Sequence, residues 1–269
     1  MKPYLKAIIF LVLLTILDFL FRKGLIAFLL PINLPKNFIA LILFLFFASF
    51  SVIVTKWFCK TDNITLSDLG ISFSGKNRID FFYGFLIGLI LWTLVSILQS
   101  LTAGFSWQLR PDANFLNILY GLIFIFIADL GTELYTRGYP LIKFKDSFGS
   151  NTAIIVMVLF VGFKSYSFDV NGELLFYTML IPALHTIFFS IIYFKTKRLG
   201  GALGVHTGAN LVTISIFDLR VGQEGQLIPQ GILQPNKDLE ILSLTALQLP
   251  YIIFAVAFSI VVYFWWKNE

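Results

Sequence analysis

Asp129, Glu133 and Arg137 follow one another at intervals of four residues, so on a helix they share one face. His206 and Asn210 repeat the interval further along. Both sets sit in strongly apolar stretches, where an ionisable side chain is costly and a functional candidate by default. The list of such groups is short: Asp18, Asp129, Glu133, Arg137, Lys164, His185 and His206, with Asn210 as an amide. Pairing of Glu133 with Arg137 lowers the cost of burying both, as a plain inward salt bridge or as part of a site. His206 and Asn210 can both donate hydrogen bonds, which suits an oxyanion. The same pair also serves as interhelical glue, worth about 0.6–2 kcal/mol. His185 reads as a hydrogen-bonded bundle histidine, and Asp18 as a residue of span packing or the interface.

The elements that position these groups must be membrane helices. Of 269 residues 58% are hydrophobic and 13% charged, against a usual 45–50% and about 25%. Mean hydropathy is +0.85. This excludes a disordered chain, a disulfide scaffold and an ordinary soluble globule. The net charge of +5 reads as loop charge facing anionic membrane lipid rather than a nucleic-acid patch. A single cysteine, Cys59, and two histidines leave no disulfide, thiol cluster or all-histidine metal site.

Eight apolar segments approach the roughly 20 residues that a bilayer core requires. They are about Leu5–Phe21, Phe38–Phe58, Phe81–Leu101, Phe115–Leu134, Thr152–Phe168, Leu174–Tyr193, Leu199–Ile216 and Leu247–Trp266. The chain therefore reads as an all-α polytopic membrane protein of about eight transmembrane helices, with residues 1–269 as a single integral membrane domain. Lys2 and Lys6 before the first span resemble a signal peptide, but no small-x-small cleavage site follows, so the span reads as retained. The longest polar stretches are Cys59–Asp80 and Asp218–Glu240; the second, with Gly222, Gly225, Pro229, Gly231 and Pro235, predicts an irregular surface loop. Trp57, Trp92, Trp107, Trp265 and Trp266 read mostly as an aromatic belt.

With the N-terminus inside, thirteen of the twenty Lys and Arg fall on inner segments, six on outer ones, and Lys164 within a span. Both termini are therefore predicted to be cytoplasmic. Along helices rising 1.5 Å per residue, Glu133 lies roughly 15 Å below the cytoplasmic face, Lys164 roughly 18 Å, His206 roughly 10 Å and Asn210 roughly 16 Å. Three helices bring polar groups to a similar depth. Gly138 and Pro140 mark a place where the fourth helix can kink or end.

The run Thr132-Glu133-Leu134-Tyr135-Thr136-Arg137 resembles the first motif, Glu-Glu-x-x-x-Arg, of the type II CAAX prenyl protease family, also called CPBP or the abortive-infection family. Phe160-Val161-Gly162-Phe163-Lys164 resembles the second, Phe-x-x-x-His. Thr186 and Ser190 stand where the third region has small residues, and His206-Thr207-Gly208-Ala209-Asn210 resembles the fourth, His-x-x-x-Asn. The likeness covers a core of about 115–212.

The resemblance implies an intramembrane helical fold around a conical cavity open to the cytoplasm. It implies peptide-bond hydrolysis near a substrate's C-terminus or next to a membrane segment, with no metal required; no cofactor is expected, a lipidated or membrane-embedded peptide is the expected partner, and a bacterial plasma membrane the expected location. In the family's mechanism the first Glu and the second-motif His activate water, while the fourth-motif His and Asn hold the oxyanion. Carried over, the catalytic candidates are Glu133, Arg137, Lys164, His206 and Asn210. Thr132 and Lys164 depart from the pattern on the water-activating half: a threonine hydroxyl is no general base near neutral pH, and a charged lysine has no lone pair to offer. Lys164 is expected to pair with a nearby carboxylate or to snorkel outward. The leading expectation is a catalytically degenerate family member. Two alternatives remain at this point: an active endopeptidase using Glu133 as base, and an ion-coupled transporter or channel using Asp129, Glu133 and Lys164. The absence of an internal repeat counts against the last.

Overall fold

The structure, a computed structural model, describes residues 1–32, 34–72, 74–168, 170–219, 231–238 and 241–267. In chain order these form α1 (Pro3–Leu29), α2 (Lys36–Thr61), α3 (Gly75–Ala103), β1 (Trp107–Leu109), α4 (Leu116–Glu133), α5 (Tyr139–Phe148), α6 (Ser150–Lys164), α7 (Gly172–Thr196), α8 (Leu199–Asn210), β2 (Leu233–Pro235) and α9 (Leu244–Lys267). A π turn, Leu134–Gly138, joins α4 to α5, and a second, Leu211–Ile216, extends α8. The protein is an all-α polytopic membrane fold. Most of the loop expected over 218–240 falls in 220–230 and 239–240, outside the described residues; within the rest, β2 pairs antiparallel with β1.

Among the described residues, seven helical segments are long and apolar enough to cross a membrane. They answer to seven of the eight segments read from hydropathy, with two differences of extent. α1 runs on past Phe21 through Arg22 and Lys23 to Leu29, because a charged side chain does not interrupt backbone hydrogen bonds. α4, its π turn and α5 together span Leu116–Phe148. The eighth segment is α6, which has 15 residues and stops at Lys164 rather than Phe168. At 1.5 Å per residue it covers about 22 Å, short of a hydrocarbon core of about 30 Å.

The bundle has two distinct ends. At one, the Asp62 carboxylate accepts hydrogen bonds from Lys6, from Lys143 at 2.6 Å and from the Tyr139 hydroxyl at 2.8 Å. Burial pushes this carboxyl up, but the bonds from Lys143, Lys6 and Tyr139 outweigh it and hold the group down at about 2. Arg198 pairs with Asp80, and the Asn77 side chain ties α3 to Gly70, Ser72 and Gly200. At the other end, Gln99 and Thr102 of α3 donate to the Leu247 and Ala246 carbonyls of α9, each at 2.7 Å. Trp107 on β1 donates to Ser96 O at 3.0 Å.

Between the ends, α8 lies against α3 on a seam of small residues. A Cβ at Gly200, Gly204 or Gly208 would overlap the carbonyl oxygens of Asn77, Phe81 and Phe85; one at Gly84 or Gly88 would overlap those of Gly201 and Val205. Such four-residue spacing of glycines lets backbones touch, where van der Waals packing drives helix association in lipid.

Candidate functional site

The glycine face of α8 leaves its other face turned toward α4. That face carries His206 and Asn210, and the facing side of α4 and its π turn carries Asp129, Glu133 and Arg137, which are 3%, 0% and 3% exposed. Asn210 Nδ2 donates to Asp129 Oδ1 at 2.8 Å. His206 lies with Nε2 3.5 Å from Asp129 Oδ1 and Nδ1 2.8 Å from Glu133 Oε1. Arg137 Nη1 donates to the same Glu133 oxygen at 2.5 Å and to Thr136 Oγ1 at 3.0 Å, while Nη2 reaches Thr186 Oγ1 of α7 at 3.4 Å. The Arg137 guanidinium also stacks 4.7 Å from the Phe189 ring centre. One bonded series thus runs Asn210–Asp129–His206–Glu133–Arg137–Thr186 and fastens α8, α4 and α7 together.

The π turn belongs to this arrangement. Pro140 has no N–H and its ring crowds the carbonyl four residues back, at Thr136. The helix widens there, over Leu134–Gly138, and Gly138 takes ψ −114°. The kink anticipated at Gly138 and Pro140 is therefore present, one turn beyond Glu133. π turns recur at functional sites.

Beside the series lies a cavity of about 530 Å³. Arg137, Thr186 and Phe189, all at most 3% exposed, form its closed end. Thr132, Lys164, His206 and Asn210 stand on its walls. Among the described residues no Asp or Glu lines it: Asp129 and Glu133 lie behind the wall. Of the five sequence-predicted site residues, Glu133, Arg137, His206 and Asn210 are brought into one bonded set, and Lys164 lies on the wall of the adjoining cavity. The Lys164 ammonium sits 4.0 Å from the Tyr135 ring centre and 5.5 Å from that of Phe47. Thr132 Oγ1 donates back to Ala128 O at 3.0 Å.

Two aspects differ from the sequence reading. The groups suited to an oxyanion are turned to carboxylates: the His206 ring lies between Asp129 and Glu133, and one N–H of Asn210 donates to Asp129. Asp129 Oδ1 lies 2.8 Å from Asn210 Nδ2 and 3.5 Å from His206 Nε2 and so joins the two in the series; its spacing from Glu133 was the signal. Trp92 is no belt residue: it is 4% exposed, lies midway along α3 and lines the cavity with its ring 5.2 Å from that of His185. Tyr251 and Gln248 of α9 complete that side. In apolar helices these residues carry no pattern that marks them. Among the described residues, no group of three or more His, Cys, Asp and Glu is arranged to hold a metal ion.

Compared with known families, residues 114–212 match the model described as type II CAAX prenyl endopeptidase Rce1-like. Neither the curated proteins nor the solved structures compared with the chain contain a match.

Proposed function

We propose that this chain, whose residues 114–212 match the type II CAAX prenyl endopeptidase model, is a CPBP, or CAAX-protease-like, membrane protein that binds a lipidated or membrane-embedded peptide in its cavity without hydrolysing it by the family's glutamate route. One observation carries the reading. The cavity wall presents Thr132 and Lys164 at the positions where the resemblance implies a glutamate and a histidine, while Glu133 faces away from the cavity. A general base must come within hydrogen-bond reach of the proton it abstracts. Glu133 is 0% exposed, with one oxygen held by Arg137 and His206.

In this reading the cavity positions rather than cleaves. Arg137 and Lys164 line it with no carboxylate among the described lining residues, which suits the carboxylate end of a peptide. Trp92 and Tyr251 offer aromatic surface for an apolar segment. The sealed place of Asp129 and Glu133 weighs against an ion relay, which needs such groups to meet a hydrated path. The charge bias of the loops supports cytoplasmic termini, in a bacterial plasma membrane.

The test uses the purified full chain in detergent with a library of lipidated peptides. The expected result is saturable binding without turnover, and turnover gained when Thr132→Glu and Lys164→His are introduced together. Cleavage by the wild-type chain that is abolished in Glu133→Ala and in His206→Ala would overturn the reading in favour of an active endopeptidase.

A further inference from the structure

The cavity and the basic end of the bundle point in opposite directions. Residues between the cavity and the basic end are buried: Tyr193, Phe194, Leu199 and Ala202 are at most 7% exposed, and the Tyr193 hydroxyl donates to Leu69 O at 2.8 Å, tying α7 to the loop after α2. This closes the cavity toward Asp62, Lys143 and Arg198. Exposure rises along the lining in the other direction. Ser165 follows the last turn of α6, Gln248 lies in the second turn of α9, and Leu219 follows the π turn that extends α8. These three are half-buried and Lys164 is exposed. The mouth therefore lies at the end where Gln99 and Thr102 meet α9 and where β1 pairs with β2.

Charge places the two ends relative to the membrane. Lys6, Lys60, Lys143, Lys195, Lys197 and Arg198 belong to the closed end, as read from the strand of contacts joining α1, α2, α5, α7 and α8 there. Among the described residues the mouth end has fewer: Arg22 and Lys23 toward the end of α1, Lys36 at the start of α2, and Arg110 and Lys237 set among Asp112, Glu173 and Asp238. Every loop is short enough for the Lys/Arg bias to govern orientation, the limit being about 60 residues.

We infer that the cavity opens to the non-cytoplasmic side of the membrane, so that it receives a lipid-anchored or membrane-embedded peptide presented from outside the cytoplasm. The class of ligand rests on the functional reading above; the side rests on charge and on the shape of the lining alone. The resemblance implies the reverse, a cavity open to the cytoplasm, and the two cannot both hold with cytoplasmic termini.

Single-cysteine labelling decides between them. The wild-type chain, whose one cysteine, Cys59, is buried, is the blank. Gln248→Cys reports the mouth, Asp238→Cys the exposed loop at the mouth end, and Ser67→Cys the exposed loop at the closed end. Intact spheroplasts are treated with a membrane-impermeant maleimide, with and without permeabilisation. The expected result is labelling of Gln248→Cys and Asp238→Cys in intact spheroplasts, with Ser67→Cys labelled only after permeabilisation. The converse pattern, or a Gln248→Cys that labels only after permeabilisation or not at all, overturns the inference. A farnesylated peptide bearing a free carboxylate is then added outside. Loss of Gln248→Cys labelling supports the ligand class. Unchanged labelling with the expected sidedness refutes the peptide reading and leaves the sidedness standing.

Discussion

α8 has two faces that hold it by opposite means. Toward α3 it offers glycines, no polar side chain and backbone-to-backbone contact. Toward α4 it offers His206 and Asn210, held by two buried carboxylates. In lipid there is little hydrophobic gain from pressing one apolar helix on another, so close van der Waals packing and interhelical hydrogen bonds are what remain. The glycine seam uses the first and tolerates no added volume. The polar face uses the second and tolerates no missing partner. It also leaves room, since long side chains hold the helices apart, and the cavity occupies that room.

Removing a partner from the polar face should have the largest effect. Glu133→Ala leaves the Arg137 guanidinium buried without its carboxylate, at a cost of about 3–5 kcal/mol. Unfolding of the purified protein in graded SDS would measure it. Glu133→Leu with Arg137→Met should recover most of the loss, because paired charges replaced together cost little; failure to recover would mean the series does more than balance charge. Next comes volume added to the seam. Gly204→Leu drives a side chain into the Phe81 carbonyl and should destabilise by about 3 kcal/mol. If Gly204→Leu proves neutral in the same assay, the seam is not as tight as described.

Asp62 provides the contrast of a carboxylate outside the spans. Its folded value of about 2 lies below the unfolded value of about 3.9, so it adds stability above pH 4 and loses it as pH falls toward 2. Asp62→Asn should cost about 1–2 kcal/mol at pH 7, with the difference from wild type vanishing in acid; thermal melting across pH 2–7 would show it. Smallest of all, Lys164→Ala removes an exposed ammonium from the Tyr135 ring and should cost about 1 kcal/mol or less while weakening binding of a peptide with a free carboxylate. A large stability loss there would make Lys164 part of the scaffold instead.

Much of this was legible in the residues. Hydropathy runs marked the helices, because lipid demands long apolar segments. The four-residue intervals of Asp129, Glu133, Arg137, His206 and Asn210 marked the bonded face, because that interval is a property of the helix itself. What could not be read were relations across helices. Which way Glu133 turns, that His206 lies between two carboxylates, and that Trp92 and Tyr251 line the cavity all depend on rotation of one helix against another. α6 ended four residues early, because its last turn caps at Ser165 with three backbone acceptors before the apolar pattern runs out.

That short helix has a consequence for the lipid around it. With about 8 Å of hydrocarbon left uncovered beyond α6, the bilayer must thin locally or the chain that follows must fill the gap. Tyr166 and Phe168, 46% and 93% exposed, are the kind of side chain that settles at headgroup level. Where the bilayer thins to match, the surrounding leaflet is drawn inward on this flank, beside Ser165 and Lys164. An acyl chain approaching a flank thinned in this way travels a shorter distance from the water layer.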